Sequence, residues 1–178
     1  AFKGTRTIGA KDYAQERPLL EELDRLNDRI DRLQAELGLA LDKPDPAKTR
    51  ELEQLRQTFA ATQERAGEWV VGNEMPLLYQ RHGAVGLNAS TGKDVTRYTV
   101  SLPANRLSLW AAIEADRMAH PVLREFYKER AVVMEERRLR TDDSPGGLLY
   151  EAFTAAAFQA HPYGFPTIGW GSDIQALT

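Results

Sequence analysis

Lys128-Glu129-Arg130-Ala131-Val132-Val133-Met134-Glu135-Glu136-Arg137-Arg138 is the stretch around which the rest of the chain organises itself. Read as a helix, it places Glu129 and Glu136 seven residues apart, two full turns, on one face. Between them at i+3 and i+4 stand Val132 and Val133, so the face that carries both acids is otherwise apolar. A carboxylate turned toward a low-dielectric interior needs a metal, a cation or several donors to compensate it. Two readings follow from spacing alone. Either the acids face a site, or the helix is solvated, with Glu136 paired to Arg140 at i+4 and the valines packed beside it. The helix is predicted to end near Arg140, with Arg137, Arg138 and Arg140 set against its C-terminal dipole.

On either side stand two further helices. Leu107, Trp110, Ala111, Ala115 and Met118 form an apolar stripe that predicts a core helix, stopped by His120-Pro121. His120, beside that proline, reads as a cap or an exposed side chain. Downstream, Asp142-Asp143-Ser144-Pro145 reads as a loop with an N-cap and a proline at the first helical position, opening a helix to about Ala160. Phe153, Ala156, Ala157 and Ala160 are its expected packing face. His161-Pro162-Tyr163-Gly164 then reads as a closing turn packed against the domain.

Farther upstream, residues 83–102 are the one convincing strand territory. Ala84–Ala89 and Val95–Leu102 flank Ser90-Thr91-Gly92-Lys93-Asp94, and the second run alternates β-branched and aromatic side chains, which predicts a β-hairpin. A two-stranded ribbon is marginal in water, so it needs a cover or further strands. Asn88 within the first strand is either at a bulge, bonded to local backbone, or free to recognise a peptide group, since an amide donates and accepts at once. Arg97 and Tyr98 are weaker candidates, and Tyr98 reads first as a strand-surface aromatic.

Residues 13–74 carry a different pattern. Leu19, Leu23, Leu26, Ile30, Leu33 and Leu37 step by 4, 3, 4, 3 and 4, a coiled-coil seam. Gly38 lies near the end of that helix, and a turn over Leu41–Pro46 follows, with Asp45-Pro46 as N-cap and first helical residue. A second seam runs through Leu52, Leu55, Phe59, Thr62, Ala66 and Val70. Two such helices across a short turn predict an antiparallel helical hairpin. It is either a decoration packed on itself or a docking element with an apolar flank for a partner.

Composition excludes some functions. A net charge of −3 with 28% charged residues lacks the basic excess of a nucleic-acid-binding surface. No apolar run approaches the length of a membrane span. The absence of cysteine excludes disulfides and thiolate metal ligands.

Four motifs in order carry a family resemblance: Ala1-Phe2-Lys3-Gly4-Thr5; Gly86-Leu87-Asn88-Ala89-Ser90-Thr91 with Thr96-Arg97-Tyr98; Glu129 through Glu136; and His161-Pro162-Tyr163-Gly164. Together they resemble the insulinase-like or pitrilysin-like zinc metallopeptidases, the inverzincins, over most of residues 1–12 and 75–178. In that family an H-x-x-E-H helix runs directly into a segment like Ala1–Thr5. The resemblance therefore implies a fragment beginning just after that motif. His82, His120 and His161 stand far apart, and none has a histidine at i+4 with a glutamate between.

The resemblance implies several further expectations. The fold is α+β, a mostly helical part of the family's sheet-and-helix half-domain (1–12 and 75–178), with one β-hairpin and the helical hairpin inserted at 13–74. Seventy-eight positions separate Thr5 from Gly83, where compact members of the family use a single short helix. Glu136 would be the third zinc ligand of the intact enzyme, with Glu135 its competitor one residue, and about 100°, away. Glu129 would support the site by orienting ligands or tuning the metal's water. Asn88 would hold substrate backbone. Zinc belongs to the parent enzyme, and the fragment, supplying at most one ligand, is expected to bind none and to be inactive alone. The implied partners are a peptide or protein substrate and a second half-domain or partner chain, with self-association through the incomplete sheet; relatives of this style are often exported to the cell envelope. Alternatively the chain is a non-catalytic half, for which loss of the Glu129/Glu136 pair would be expected, or an interaction protein built on the helical hairpin.

Overall fold

A computed structural model of the chain describes residues 4–39 and 45–177. In chain order its elements are α1 (Tyr13–Leu39), α2 (Pro46–Gly67), α3 (Glu74–Arg81), β1 (Val85–Thr91), β2 (Thr96–Ser101), α4 (Leu107–Ala119), α5 (Phe126–Arg137), α6 (Pro145–Ala157) and α7 (Gly171–Gln175). This is the mostly helical α+β fold expected, and α3 is an element that sequence reading did not anticipate. The described residues divide into two compact units, with the divisions falling inside α3 and at α4 and α5. One unit joins the chain up to Met75 with Ala111–Glu125; the other joins Pro76–Trp110 with Phe126–Leu177.

In the first unit α1 and α2 pack as an antiparallel pair. Ile30, Leu33, Leu52 and Leu55 form their buried core, with Leu26, Leu37 and Phe59 partly buried against it. The leucine seam is thus satisfied within the pair. Arg29 with Glu51 and Lys48 with Glu36 fasten the rim by ion pairs of 2.5 and 2.7 Å. The Asp45 carboxylate accepts from the amide of Ala47 and Pro46 opens α2, as the Asp-Pro pair predicts. The remainder of the predicted turn, Leu41–Pro44, lies outside the described residues. Val70, assigned to the second seam, stands beyond the end of α2 and pairs with Ala10 in an isolated antiparallel bridge.

The segment after Gly4 is a tight turn built from side chains. Thr5 donates its amide to the Ile8 carbonyl at 2.8 Å, while its hydroxyl accepts from the amides of Thr7 and Ile8. Gly4 has φ +142°, and a Cβ there would lie 2.1 Å from the Ile8 oxygen, so only glycine fits. Asp116 of α4 accepts from the hydroxyls of Thr5 and Thr7 and faces His120 Nδ1 at 3.0 Å. These hydrogen bonds, Thr5 first, hold the Asp116 carboxyl below the usual aspartate range.

A buried ion pair completes this unit. Arg124 Nε donates to both oxygens of Glu16 at 2.7 and 2.9 Å, and Nη1 donates to the Ile8 carbonyl at 3.1 Å. Both side chains are fully buried. Burial raises the Glu16 carboxyl above the usual range, with Arg124 pulling the other way.

In the second unit β1 and β2 form an antiparallel ribbon with Asn88 opposite Thr99 and Thr91 opposite Thr96. The pairing is irregular between Val85 and Asn88, where Gly86 adopts φ +65°. Between the strands, Lys93 Nζ in the connecting turn donates to the carbonyls of Tyr163 and Phe165, and Tyr163 Oη donates to Asp94 at 2.6 Å. The His-Pro-Tyr-Gly motif therefore clamps the hairpin turn. That hydrogen bond to a carboxylate raises the Tyr163 phenol above its ordinary value. Phe158, His161 and Tyr163 stack edge-on around the motif, the last two with centroids 4.6 Å apart.

Two packing faces differ from expectation. The predicted stripe of α4 is open to solvent: Leu107 is 66% and Met118 77% exposed, and the residue that buries is Ile113. In α6, Phe153 is 64% exposed while Thr154 is buried with Gly147 and Glu151 half-buried on its side. In both helices the buried face is the one carrying polar partners, Asp116 on α4 and Glu151 on α6, so ion pairs and hydrogen bonds chose the face over apolar content. The helix α6 also stops at Ala157, short of Ala160.

Candidate functional site

The cavity that gathers the sequence candidates lies in the second unit and has a volume of about 630 Å³. Glu136 and Val133 of α5, Ala89 and Thr91 of β1, and Tyr150, Glu151 and Thr154 of α6 line it, closed by Pro166–Ile168. Ala89 and Thr91 are two residues apart and so share a strand face. Glu136 thus faces a recess walled partly by the strand that carries Asn88.

What aims Glu136 there is the C-terminal end of α5. Its α-helical turns end at Arg137, and a wider π-helical turn carries the helix on from Arg138 to Asp142, past the predicted end near Arg140. Arg137 is buried rather than serving the helix dipole from the surface. Its Nη1 donates to Glu151 Oε2 and to the Gly169 carbonyl, both at 2.8 Å, and Nη2 reaches Glu151 Oε1 at 3.2 Å. The guanidinium also lies 5.8 Å from the centre of the Trp170 ring. A planar fork held on this many sides leaves α5 one orientation relative to α6, and this fixes the neighbouring residue Glu136. Sequence reasoning missed Arg137 because its partners, Glu151 and Gly169, are distant in the chain and unmarked by periodicity.

Gly147 is the second requirement. A Cβ on it would lie 2.2 Å from the Arg140 carbonyl oxygen and 2.7 Å from Thr141 Cα, so α6 meets the π-type turn backbone to backbone. Ser144 caps α6, accepting from the Gly147 amide at 3.2 Å, with Pro145 at the first helical position as predicted.

The candidate acids separate. Glu136 lines the cavity half-exposed, its carboxylate 2.5 Å from Nη1 of Arg140, whose side chain is 75% exposed. The i+4 surface pairing of Glu136 with Arg140, which the solvated reading of this helix predicts, is therefore present. Glu135 points elsewhere, taken by Arg138 at 2.6 and 2.9 Å, which holds its carboxyl below the usual range. Glu129 is half-buried on α5 and is not among the cavity residues. Val132 is 55% exposed, so the apolar strip between the acids opens onto the recess and solvent instead of a core.

Asn88 is exposed, stands beside the strand irregularity, and its side-chain oxygen accepts from the Ala89 amide at 2.9 Å. It does not line the cavity. His120 pairs with Asp116, and the His161 ring accepts from the Tyr163 amide at 3.3 Å. Among the described residues no three histidine, aspartate or glutamate side chains stand close enough to hold a metal. Of the two carboxylates that line the cavity, Glu151 is held by Arg137 through both oxygens, and Glu136 is the one whose partner is an exposed arginine. That fits one position of a zinc coordination shell and not a whole one. No helix of the described residues is long and apolar enough to cross a membrane.

No family model matches the chain. The chain is 42% identical over 107 residues to zinc protease PqqE of Helicobacter pylori, a match covering 59% of this chain and 24% of that protein. An uncharacterized zinc protease of Mycobacterium leprae is 37% identical over 99 residues, covering 53% of this chain and 22% of its own length. Among solved structures, a protease from Helicobacter pylori superposes with a TM-score of 0.55 at 41% identity, over 60% of this chain and 26% of that one. The chain thus spans about a quarter of the length of the relatives it matches.

Proposed function

From the kinship of this chain to zinc proteases of the insulinase-like type, we propose that it is the part of a zinc metalloendopeptidase that supplies the acidic metal ligand, Glu136, to a site completed by an upstream H-x-x-E-H helix. The observation that carries this reading is the placement of Glu136: it is the acid of its helix that opens on a cavity beside strand β1, while its neighbour Glu135 is turned to Arg138. One carboxylate is too few to hold zinc, so the chain alone is inactive. Bound zinc would polarise the scissile carbonyl and activate a water molecule. The residues of this chain would prepare the site for it. Arg137 and Gly147 hold α5 against α6 so that Glu136 presents an oxygen to the metal, and Glu129, two turns earlier, orients the ligands. Asn88 would hold substrate backbone at the strand, which requires its side chain to leave the Ala89 amide.

Both acids are present, which favours an active half over a non-catalytic one. The α1–α2 pair has less to recommend it as a docking element, since its leucine seam is buried between its own helices. The test is zinc content and peptide hydrolysis in the full-length protein containing this chain, against its Glu136→Gln variant and against the present chain. Stoichiometric zinc and turnover in the full-length protein alone are expected. Retention of zinc by the Glu136→Gln variant at wild-type affinity would overturn the assignment.

A further inference from the structure

The two acids that line the cavity each have an arginine partner, and the pairs differ in kind. Glu151 is held by the fork of Arg137, whose side chain is 8% exposed, so that pair is internal and permanent. Glu136 is matched by Arg140, whose side chain is 75% exposed and free to swing. If Glu136 gives an oxygen to a metal, as proposed above, the dication outweighs the charge of that one carboxylate, and Arg140, which lines the same cavity, is left without an anion that balances it. Glu151 adds no free anion there, because its charge is already answered by Arg137 through both oxygens. The site would then hold one guanidinium without a carboxylate, beside β1 and next to the reacting centre. A guanidinium in that position takes a carboxylate in a two-point hydrogen bond, geometry that an ammonium or a neutral amide does not reproduce.

We propose that Arg140 is a specificity-determining residue that captures a carboxylate of the peptide substrate in the cavity lined by Glu136, Ala89, Thr91 and Tyr150. The carboxylate is that of an acidic side chain or of a peptide C-terminus. This rests on the reading of Glu136 as a metal ligand for the working enzyme. The capture itself can be measured without metal, because Glu136→Gln removes the negative charge that competes with a substrate carboxylate for Arg140.

The experiment uses the full-length protein carrying Glu136→Gln and three fluorescently labelled peptides of one neutral sequence. One has a single internal aspartate and an amidated end, one a free C-terminal carboxylate, and one neither. Anisotropy at low salt is expected to give the preferred carboxylate peptide about fivefold tighter binding than the neutral one, the size of one exposed charge-assisted contact. Adding Arg140→Gln should abolish the difference, Arg140→Lys should restore only part of it, and Arg140→Glu should reverse it toward a lysine peptide. Preference for the aspartate peptide assigns a side-chain carboxylate, and preference for the free end assigns a terminal one; either supports the capture. Equal binding of all three, or a preference unchanged by Arg140→Gln, overturns it. Because Arg140 is largely exposed, its variants should fold, and circular dichroism checks that. Zinc content of wild type against Glu136→Gln, measured on the same preparations, reads the underlying assignment separately, so each can fail alone.

Discussion

The two units each carry a glutamate on a helix with an arginine partner, and the two pairs are opposites. Glu16, in the unit of the helical hairpin, is fully buried with Arg124 and bonded through both oxygens. Glu136, in the unit of the β-ribbon, is half-exposed at a cavity, and its arginine extends into solvent. A buried pair serves the fold, because removing either member strands the other charge away from water. An exposed pair contributes little to the fold, so its acid is available for another ligand. The contrast separates a carboxylate committed to the fold from one left available at a cavity.

The largest expected effect tests the structural side. Arg124→Ala should destabilise the hairpin unit by about 3–5 kcal/mol in urea unfolding followed by circular dichroism, since it leaves Glu16 buried without a cation. The double variant Glu16→Leu/Arg124→Met should recover most of that loss. A single substitution costing no more than a surface residue would collapse the distinction between the two acids.

The sequence shows one member of this comparison and hides the other. Glu136 is marked in the sequence as a candidate because Glu129 lies two turns before it and the run of motifs resembles a known family. Glu16 stands one step of three before Leu19 on the hairpin seam, but Arg124 is 108 positions away and lies in no periodic pattern, so nothing local names the partner. The same rule holds for the fold. The steps of Leu19 to Leu37 disclose the hairpin because its partners are neighbours in sequence and apolar in type. The inward faces of α4 and α6 were misassigned because apolar content pointed to Leu107, Met118 and Phe153, whereas Asp116 bonding to Thr5 and Glu151 bonding to Arg137 turned those helices otherwise. Long-range polar pairing is the part of this structure that periodicity does not encode.

Next in size is Gly147→Ala. The added Cβ must displace the backbone of Arg140 and Thr141, at a cost of about 1–3 kcal/mol, read as a lowered thermal midpoint. The shift of the π-type turn should also change zinc retention in the full-length protein, which a defect confined to α6 would leave alone.

A smaller effect is dependent on pH. Asp116 is charged in the turn at Thr5 and Thr7, and its folded-state pKa is depressed. Its contribution is therefore complete above the ordinary aspartate value near 4 and is lost as pH falls through the lower folded value. Wild type should lose about 1 kcal/mol more stability than Asp116→Asn on going from neutral pH to the range below the ordinary aspartate value. Parallel loss in the two proteins would mean that the hydroxyls of Thr5 and Thr7 do not depend on the charge.

The smallest effect expected on stability is the most informative for the cavity. Glu136→Gln should leave the unfolding midpoint of the present chain within about 0.5 kcal/mol of wild type, because it gives up only a solvent-exposed pair with Arg140. Glu16→Gln, the same chemical change in the other unit, should cost several times more. If the two substitutions proved equally costly, Glu136 would be holding the fold as Glu16 does, and its position at the cavity would need no chemistry to explain it. A near-silent Glu136→Gln in the isolated chain, together with loss of zinc in the full-length protein, separates the roles: an acid dispensable to folding and indispensable to the metal.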